Sequence, residues 1–182
     1  RWAHGDPNGT RAQPEDDHTF AGRHCWFTGQ APSLSQGGLA DVDGGTTTLR
    51  TPVYGLSALQ QPVISYWRWY ANAIGSGVPF DDVLRVDVSN DGGASWTNVE
   101  VVGPTGDVVY GGWRQHQFRL ADFLATTSQV QLRFVAADLD NGRPRRSRHR
   151  VQCGEDEWNC GREADRLADP EVSRMLKGDH GV

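Results

Sequence analysis

The sequence predicts an all-β fold, an antiparallel β-sandwich, from three observations. Several short runs alternate apolar and polar residues, and a period of two is the pattern of a half-buried strand. Turn-forming residues separate these runs, since the 182 residues include 22 Gly and 9 Pro. No helical period is visible before residue 142. About six to eight short strands that alternate with turns are typical of a sandwich.

Length and charge limit the functions of the chain. The length suits one β-domain with a sizeable core, and a second domain would be very small. Residues 1–142 contain 9 Arg and no Lys against 13 Asp and 2 Glu, which disfavours a nucleic-acid partner. No window approaches the roughly 18 apolar residues of a membrane span, and no signal peptide is visible. Because the chain starts at Arg1, we expect it to be a piece of a longer precursor.

The first 20 residues are polar and predict an irregular loop. Oxygen ligands from loops suit Ca²⁺, so the carboxylates that crowd together here are candidate calcium ligands: Asp6, Glu15, Asp16 and Asp17. The alternative is a solvated loop that binds no metal.

A second acidic segment reads Asp41-Val42-Asp43-Gly44-Gly45. It is not an EF-hand loop, because the closing Glu is absent and the flanks are not helical. Asp41 and Asp43 are candidate calcium ligands, and a plain turn is the alternative. Asp138 and Asp140 are weaker candidates of the same kind.

Short strands are predicted at 24–28, 113–120 and 129–135. The last of these alternates most regularly. It directs Val130, Leu132 and Phe134 inward and Gln131 and Arg133 outward.

The most aromatic strand is predicted at 63–70, VISYWRWY. Alternation divides its aromatic residues between two faces, so we expect both faces to be covered. One face is core, and the other is either a floor for a sugar or peptide or a second packing surface. The candidate ligand-binding residues are Tyr66, Trp67, Arg68, Trp69 and Tyr70.

A β-hairpin is predicted between residues 80 and 102. Leu84, Val86 and Val88 form an apolar face, and a second run begins at Trp96 after a Gly-rich turn. The turn carries one copy of the Asp-box pattern Ser-x-Asp-x-Gly-x-x-Trp, at residues 89–96. In this pattern the Asp carboxylate accepts turn amide hydrogens, and the Trp folds back under the hairpin. A single copy indicates a stable hairpin and no catalysis.

The sequence contains no recognisable catalytic motif. The six His form no zinc-protease motif, a Gly-x-Ser-x-Gly elbow is absent, and the Gly pairs precede no helix that would bind phosphate. Three cysteines, Cys25, Cys153 and Cys160, define no disulfide framework and match no zinc signature. We therefore expect a protein that is not an enzyme.

The segments WAHGDPNGTRAQPEDDHTFAGRHCWFTGQ, DVDGGTTTLRTPVYGLSAL, VISYWRWYAN, DDVLRVDVSNDGGASWTNVE, GGWRQHQFRLADF and QVQLRFVAAD carry a family resemblance. As a set, over about residues 1–142, they resemble the MAM-like or galactose-binding-like jelly-roll domains of secreted bacterial multidomain proteins. The resemblance implies a non-catalytic jelly roll that often binds Ca²⁺ and often follows a peptidase. It places a calcium site at the loop acids and at the pair Asp41 and Asp43.

After Gly142 the resemblance ends. Five Arg within residues 143–150 do not alternate, where the family continues with an acidic closing strand. One hypothesis is a reading-frame change, because CGN arginine codons shifted by one nucleotide can encode Val-Leu-Val-Glu-Ala-Gly-Ile at 143–149. The alternative is a genuine basic tail. We expect 143–182 to be irregular or weakly helical and poorly ordered, which would leave an exposed sheet edge.

Two functions follow as expectations. The first is a secreted or cell-surface bacterial module, stabilised by Ca²⁺, that attaches the catalytic domain of its parent chain to a glycan or a cell-surface protein. The second is a structural spacer or processing domain of a secreted metallopeptidase, without a ligand of its own.

Overall fold

The computed structural model describes residues 1–10, 12–33, 42, 45–73, 82–138, 150–154 and 159–162. These residues form ten strands and two short 3₁₀ turns, at Asp107–Val109 and Leu120–Asp122. The strands are β1 Ala3–Gly5, β2 Cys25–Phe27, β3 Gly45–Arg50, β4 Pro62–Ala71, β5 Val83–Ser89, β6 Thr97–Val102, β7 Tyr110–Arg119, β8 Gln131–Asp138, β9 Arg150–Gly154 and β10 Asn159–Arg162. No helix among the described residues has the length and apolar character needed to cross a membrane.

The strands form two antiparallel sheets. Sheet A has the order β1-β2-β9-β4-β10, in which β9 and β10 pair with different parts of β4. Strand β7 also pairs with β4, along nearly its whole length. Sheet B has the order β3-β8-β5-β6. All pairings between these strands are antiparallel. The prediction of an all-β antiparallel sandwich is therefore confirmed.

The core lies between the two sheets. Its members alternate along their strands, as a sheet with one buried face requires. Sheet A contributes Ile64, Tyr66, Tyr70 and Phe118, and sheet B contributes Leu84, Val86, Val88, Leu132, Phe134 and Ala136. Across the interface the rings of Tyr66 and Phe134 meet edge to face, with centroids 5.2 Å apart. The predicted inward directions in β5 and β8 are confirmed.

The predicted hairpin joins β5 to β6. In its turn Asp91 Oδ1 accepts hydrogen bonds from the Ser89 hydroxyl at 2.6 Å and from the Ser95 amide at 2.9 Å. The Trp96 indole N–H donates to the Gly93 carbonyl at 3.0 Å, so the ring does fold back under the turn. The hydroxyls of Ser89 and Ser95, followed by the Ser95 amide, hold the pKa of Asp91 well below its usual range.

The expectation of an irregular or helical ending is wrong for residues 150–154 and 159–162. Strand β9 pairs with β2 on one side and with β4 on the other, and β10 pairs with a further part of β4. The predicted exposed edge is thus paired at these positions. The unpaired backbone N–H and C=O groups of a sheet edge can form hydrogen bonds with a further strand even where the side-chain pattern of that strand is weak. The reading-frame hypothesis and the basic tail concern mainly residues outside the described ranges and stay predictions.

Candidate ligand-binding face

The two faces of β4 have different environments. On the inner face Tyr66 and Tyr70 are each 1% exposed, and Arg68 is 8% exposed. On the outer face Trp67 and Trp69 are half-buried. The alternation of the strand therefore divides the five candidate ligand-binding residues into an internal group and a surface group.

The internal group is engaged with the protein itself. The Tyr66 hydroxyl donates to Glu100 Oε2 at 2.7 Å, and the Tyr70 hydroxyl donates to the Asp82 carbonyl at 2.6 Å. A tyrosine that is 1% exposed offers a sugar no ring face on which to stack. Tyr66, Arg68 and Tyr70 therefore belong to the interior of the sandwich and not to its surface.

Glu100 connects the two sheets through a buried charge network. It lies on β6 of sheet B, and its carboxylate accepts hydrogen bonds from Arg68 Nε at 2.9 and 3.0 Å and also from Arg68 Nη2. His116 Nδ1 on β7 lies 3.3 Å from Glu100 Oε1. Burial raises the pKa of Glu100, but the hydrogen bonds from His116, Arg68 and Tyr66 outweigh it and lower the pKa to about 2. Glu100 is therefore ionised at neutral pH and stabilises the buried guanidinium.

The outer face of sheet A carries a cluster of four rings, which we call the aromatic face: His18, Trp67, Trp69 and Trp113. The His18 ring stacks on Trp67, with centroids 4.6 Å apart and an interplanar angle of 17°. Trp113 meets His18 at 5.9 Å and Trp69 at 6.0 Å, in both cases edge to face. Because β4 pairs with β7, Trp113 lies directly opposite Trp69.

Two exposed amide side chains continue this face along β7. Gln115 lies opposite Trp67, and Gln117 lies opposite Ser65, so both amides are on the same side of the sheet as the tryptophans. An amide offers both a donor and an acceptor to a hydroxylated ligand. Partly exposed rings beside amides are the chemistry of a surface that binds sugars by stacking and hydrogen bonding.

A structured loop holds His18 over the sheet. Asp17 Oδ1 accepts hydrogen bonds from the Thr19 amide at 2.6 Å and from the Thr19 hydroxyl at 2.7 Å, which is an Asx turn. The Gly22 amide donates to the Thr19 hydroxyl oxygen at 2.9 Å. The Trp113 indole N–H donates to the carbonyl of Asp16 at 3.3 Å, which connects the loop to β7.

No protein-family model matches this chain. A search of the curated proteins also finds no match. The resemblance to jelly-roll domains of secreted bacterial proteins therefore stays a prediction.

The predicted calcium ligands fall into two groups. Asp6, Glu15 and Asp16 are exposed, and Asp17 is buried with one carboxylate oxygen committed to the Asx turn. Within the described part of the chain, no group of three or more His, Cys, Asp or Glu side chains comes together as a metal site would require. Asp41, Asp43 and Asp140 lie outside the described residues, and Asp138 ends β8. Calcium binding at all of these acids stays a prediction.

Four residues of this surface were absent from the sequence-based candidates: His18, Trp113, Gln115 and Gln117. Strand alternation in β7 gives the face on which each residue lies but not the strand beside it. Only the pairing of β4 with β7 places Trp113 and Gln115 next to the predicted tryptophans. His18 arrives from a loop, for which the sequence gives no period at all.

Proposed function

We propose that this protein is a non-catalytic extracellular binding module and that its aromatic face holds a glycan. The observation that carries the proposal is the placement of Trp67, Trp69 and Trp113 on one sheet surface beside two exposed amides. The family resemblance adds the context of an accessory domain attached to a secreted or cell-surface hydrolase.

The aromatic face suits a weak, stacking-led interaction. Aromatic contacts contribute roughly 0.5–1.5 kcal/mol each beyond the area that they bury. His18 already covers one side of Trp67, so the contact surface consists of the exposed parts of the tryptophans together with Gln115 and Gln117. The Asx turn of the neighbouring loop fixes this surface before the ligand arrives, which lowers the ordering cost of binding.

A second candidate is a structural spacer or processing domain of a secreted metallopeptidase. The same stack of His18 on Trp67 favours it, because a ring that is covered by its own chain can serve packing alone. In this alternative the aromatic face anchors the N-terminal loop to sheet A and binds nothing.

Retention on immobilised neutral polysaccharides distinguishes the two functions. We expect the protein to be retained on at least one neutral glycan, and the double variant Gln115→Ala, Gln117→Ala to bind it about tenfold more weakly, since two hydrogen bonds are lost. Gln60→Ala with Gln61→Ala is the matched control, because both glutamines are exposed and lie outside the face. Failure to bind any glycan on a broad array would leave the spacer.

A further inference from the structure

The outer face of sheet B brings three arginines together, and we call it the arginine face: Arg50 of β3, Arg85 of β5 and Arg133 of β8. Arg50 and Arg133 lie directly opposite each other in the register of β3 and β8. Arg85 lies opposite Val135, two residues along β8 from Arg133. All three side chains project from the same side of the sheet, since inner and outer residues alternate.

One buried carboxylate and one indole ring hold this face in place. Asp87 is 1% exposed, and its Oδ2 accepts a hydrogen bond from Arg133 Nε at 2.8 Å. Asn98 Nδ2 donates to Asp87 Oδ1 at 2.9 Å. The guanidinium carbons of Arg133 and Arg50 lie 4.5 and 5.4 Å from the centre of the Trp96 ring.

Asp87 remains ionised in this environment. Burial raises its pKa, but the hydrogen bonds from Asn98 and Arg133 and the charge of Arg85 outweigh burial, so the pKa lies below its usual value. Arg85 Nη2 lies 3.4 Å from Asp87 Oδ2, while its side chain is 48% exposed. One carboxylate thus contacts two guanidinium groups, those of Arg133 and Arg85, and Arg50 and Arg85 remain largely exposed to solvent.

The cationic cluster is unexpected in an acidic chain with a net charge of −5. Like charges placed directly opposite each other on neighbouring strands destabilise a sheet. Two other acids of the β5–β6 hairpin are committed elsewhere, because Glu100 binds Arg68 on the inner side and Asp91 accepts the turn hydrogen bonds. Local features that cost stability without helping the fold are candidates for function.

We propose that the arginine face binds a polyanionic glycan, with its carboxylate or sulfate groups on Arg50 and Arg85. These residues lie on strands that flank β8 and are offset by two residues along it, so their α-carbons stand roughly 12 Å apart. This separation suits a ligand with repeated anionic groups more than it suits a single anion. Arg133, fixed by Asp87 and Trp96, provides a third positive charge between them.

A glycan fits this face better than a nucleic acid does. Three arginines in a chain of net charge −5 are few for a duplex, which carries phosphate charge at uniform density along its whole length. The face lies on the opposite sheet from the aromatic face, so the two proposed activities do not depend on each other's residues.

Binding to polygalacturonate and dextran sulfate, measured at low and high salt, tests the proposal. We expect binding to at least one polymer that weakens with salt and is about tenfold weaker in each of Arg50→Gln and Arg85→Gln. Arg23→Gln removes the same charge from an exposed loop and is expected to bind as the wild type does. Thermal melts of the variants check that these substitutions at exposed positions leave the protein folded.

The outcomes are decisive in both directions. No binding to either polymer, an equal loss in Arg23→Gln, or tighter binding to duplex DNA would overturn the proposal. The same variants also distinguish polyanion binding from the neutral-glycan function, because Arg50→Gln should not alter retention on neutral polysaccharide. The Gln115→Ala, Gln117→Ala variant should conversely leave the binding of polyanions unchanged.

Discussion

Replacing Glu100 by glutamine tests the charge network that joins the two sheets. The substitution keeps the size of the side chain but removes the charge that balances Arg68, which is only 8% exposed. Glu100 also accepts the Tyr66 hydroxyl and lies near His116, so the amide would have to satisfy three partners with one acceptor oxygen.

The expected cost follows from two independent routes. The pKa of Glu100 falls from 4.5 to about 2 on folding, and this shift contributes on the order of 3 kcal/mol to the free energy of unfolding at neutral pH. Removing one partner of a buried ion pair typically costs about 3–5 kcal/mol. Because the folded pKa is depressed, this stability is complete above pH 4.5 and is lost as the pH falls from there towards 2.

Urea unfolding of Glu100→Gln and the wild type at about pH 7 and about pH 3 measures both effects. We expect a difference in unfolding free energy of about 3 kcal/mol at the higher pH and roughly half of that at the lower pH. Asp122→Asn is the control, because it changes an exposed carboxylate to an amide in the same way and should cost almost nothing. A difference that is equal at both pH values would refute the role of the charge.

Three further predictions concern packing and metal binding. Gly103 has φ of 86°, and a Cβ there would collide with the Tyr70 ring, so Gly103→Ala should lower the melting temperature by an amount equivalent to about 1–3 kcal/mol. Gly55→Ala, where a Cβ meets no atom within 4 Å, should be nearly neutral, and equal losses would contradict the steric argument. Phe134→Ala should reduce the free energy of unfolding by about 3–5 kcal/mol in urea, since Phe134 is 0% exposed, and a loss below about 1 kcal/mol would mean that the core rearranges. For calcium, we expect a chelator to lower the melting midpoint, and an unchanged midpoint would reject a structural ion.

Much of the fold was predictable because its strongest signals are local. Leu84, Val86 and Val88 alternate with polar residues, and all three are core. The Asp-box turn formed as its residues indicated, because the Asp91 carboxylate accepts hydrogen bonds from Ser89 and Ser95, which lie within four positions of it. The alternation did not reveal that the polar Asp87 is also buried, since its cover comes from Arg133 and Asn98 on adjacent strands.

The site was predictable only in part. Alternation identified Trp67 and Trp69 as one face of β4, but it could not show which face was core. The neighbours that complete the surface arrive through long-range contacts, His18 from a loop and Trp113 through the pairing of β4 with β7. Strand β9 illustrates the same limit, because its position between β2 and β4 reflects open backbone hydrogen bonds that no side-chain pattern encodes.

The sequence by itself therefore determined the class of fold, the inward residues of β5 and β8 and the central hairpin. Each of these follows from a period of two or from turn chemistry within a few residues. Only the tertiary structure decided that Glu100 neutralises Arg68 and that Arg50 lies opposite Arg133. Strand order and sheet stacking set these pairs, and both depend on contacts between residues that are distant in the chain.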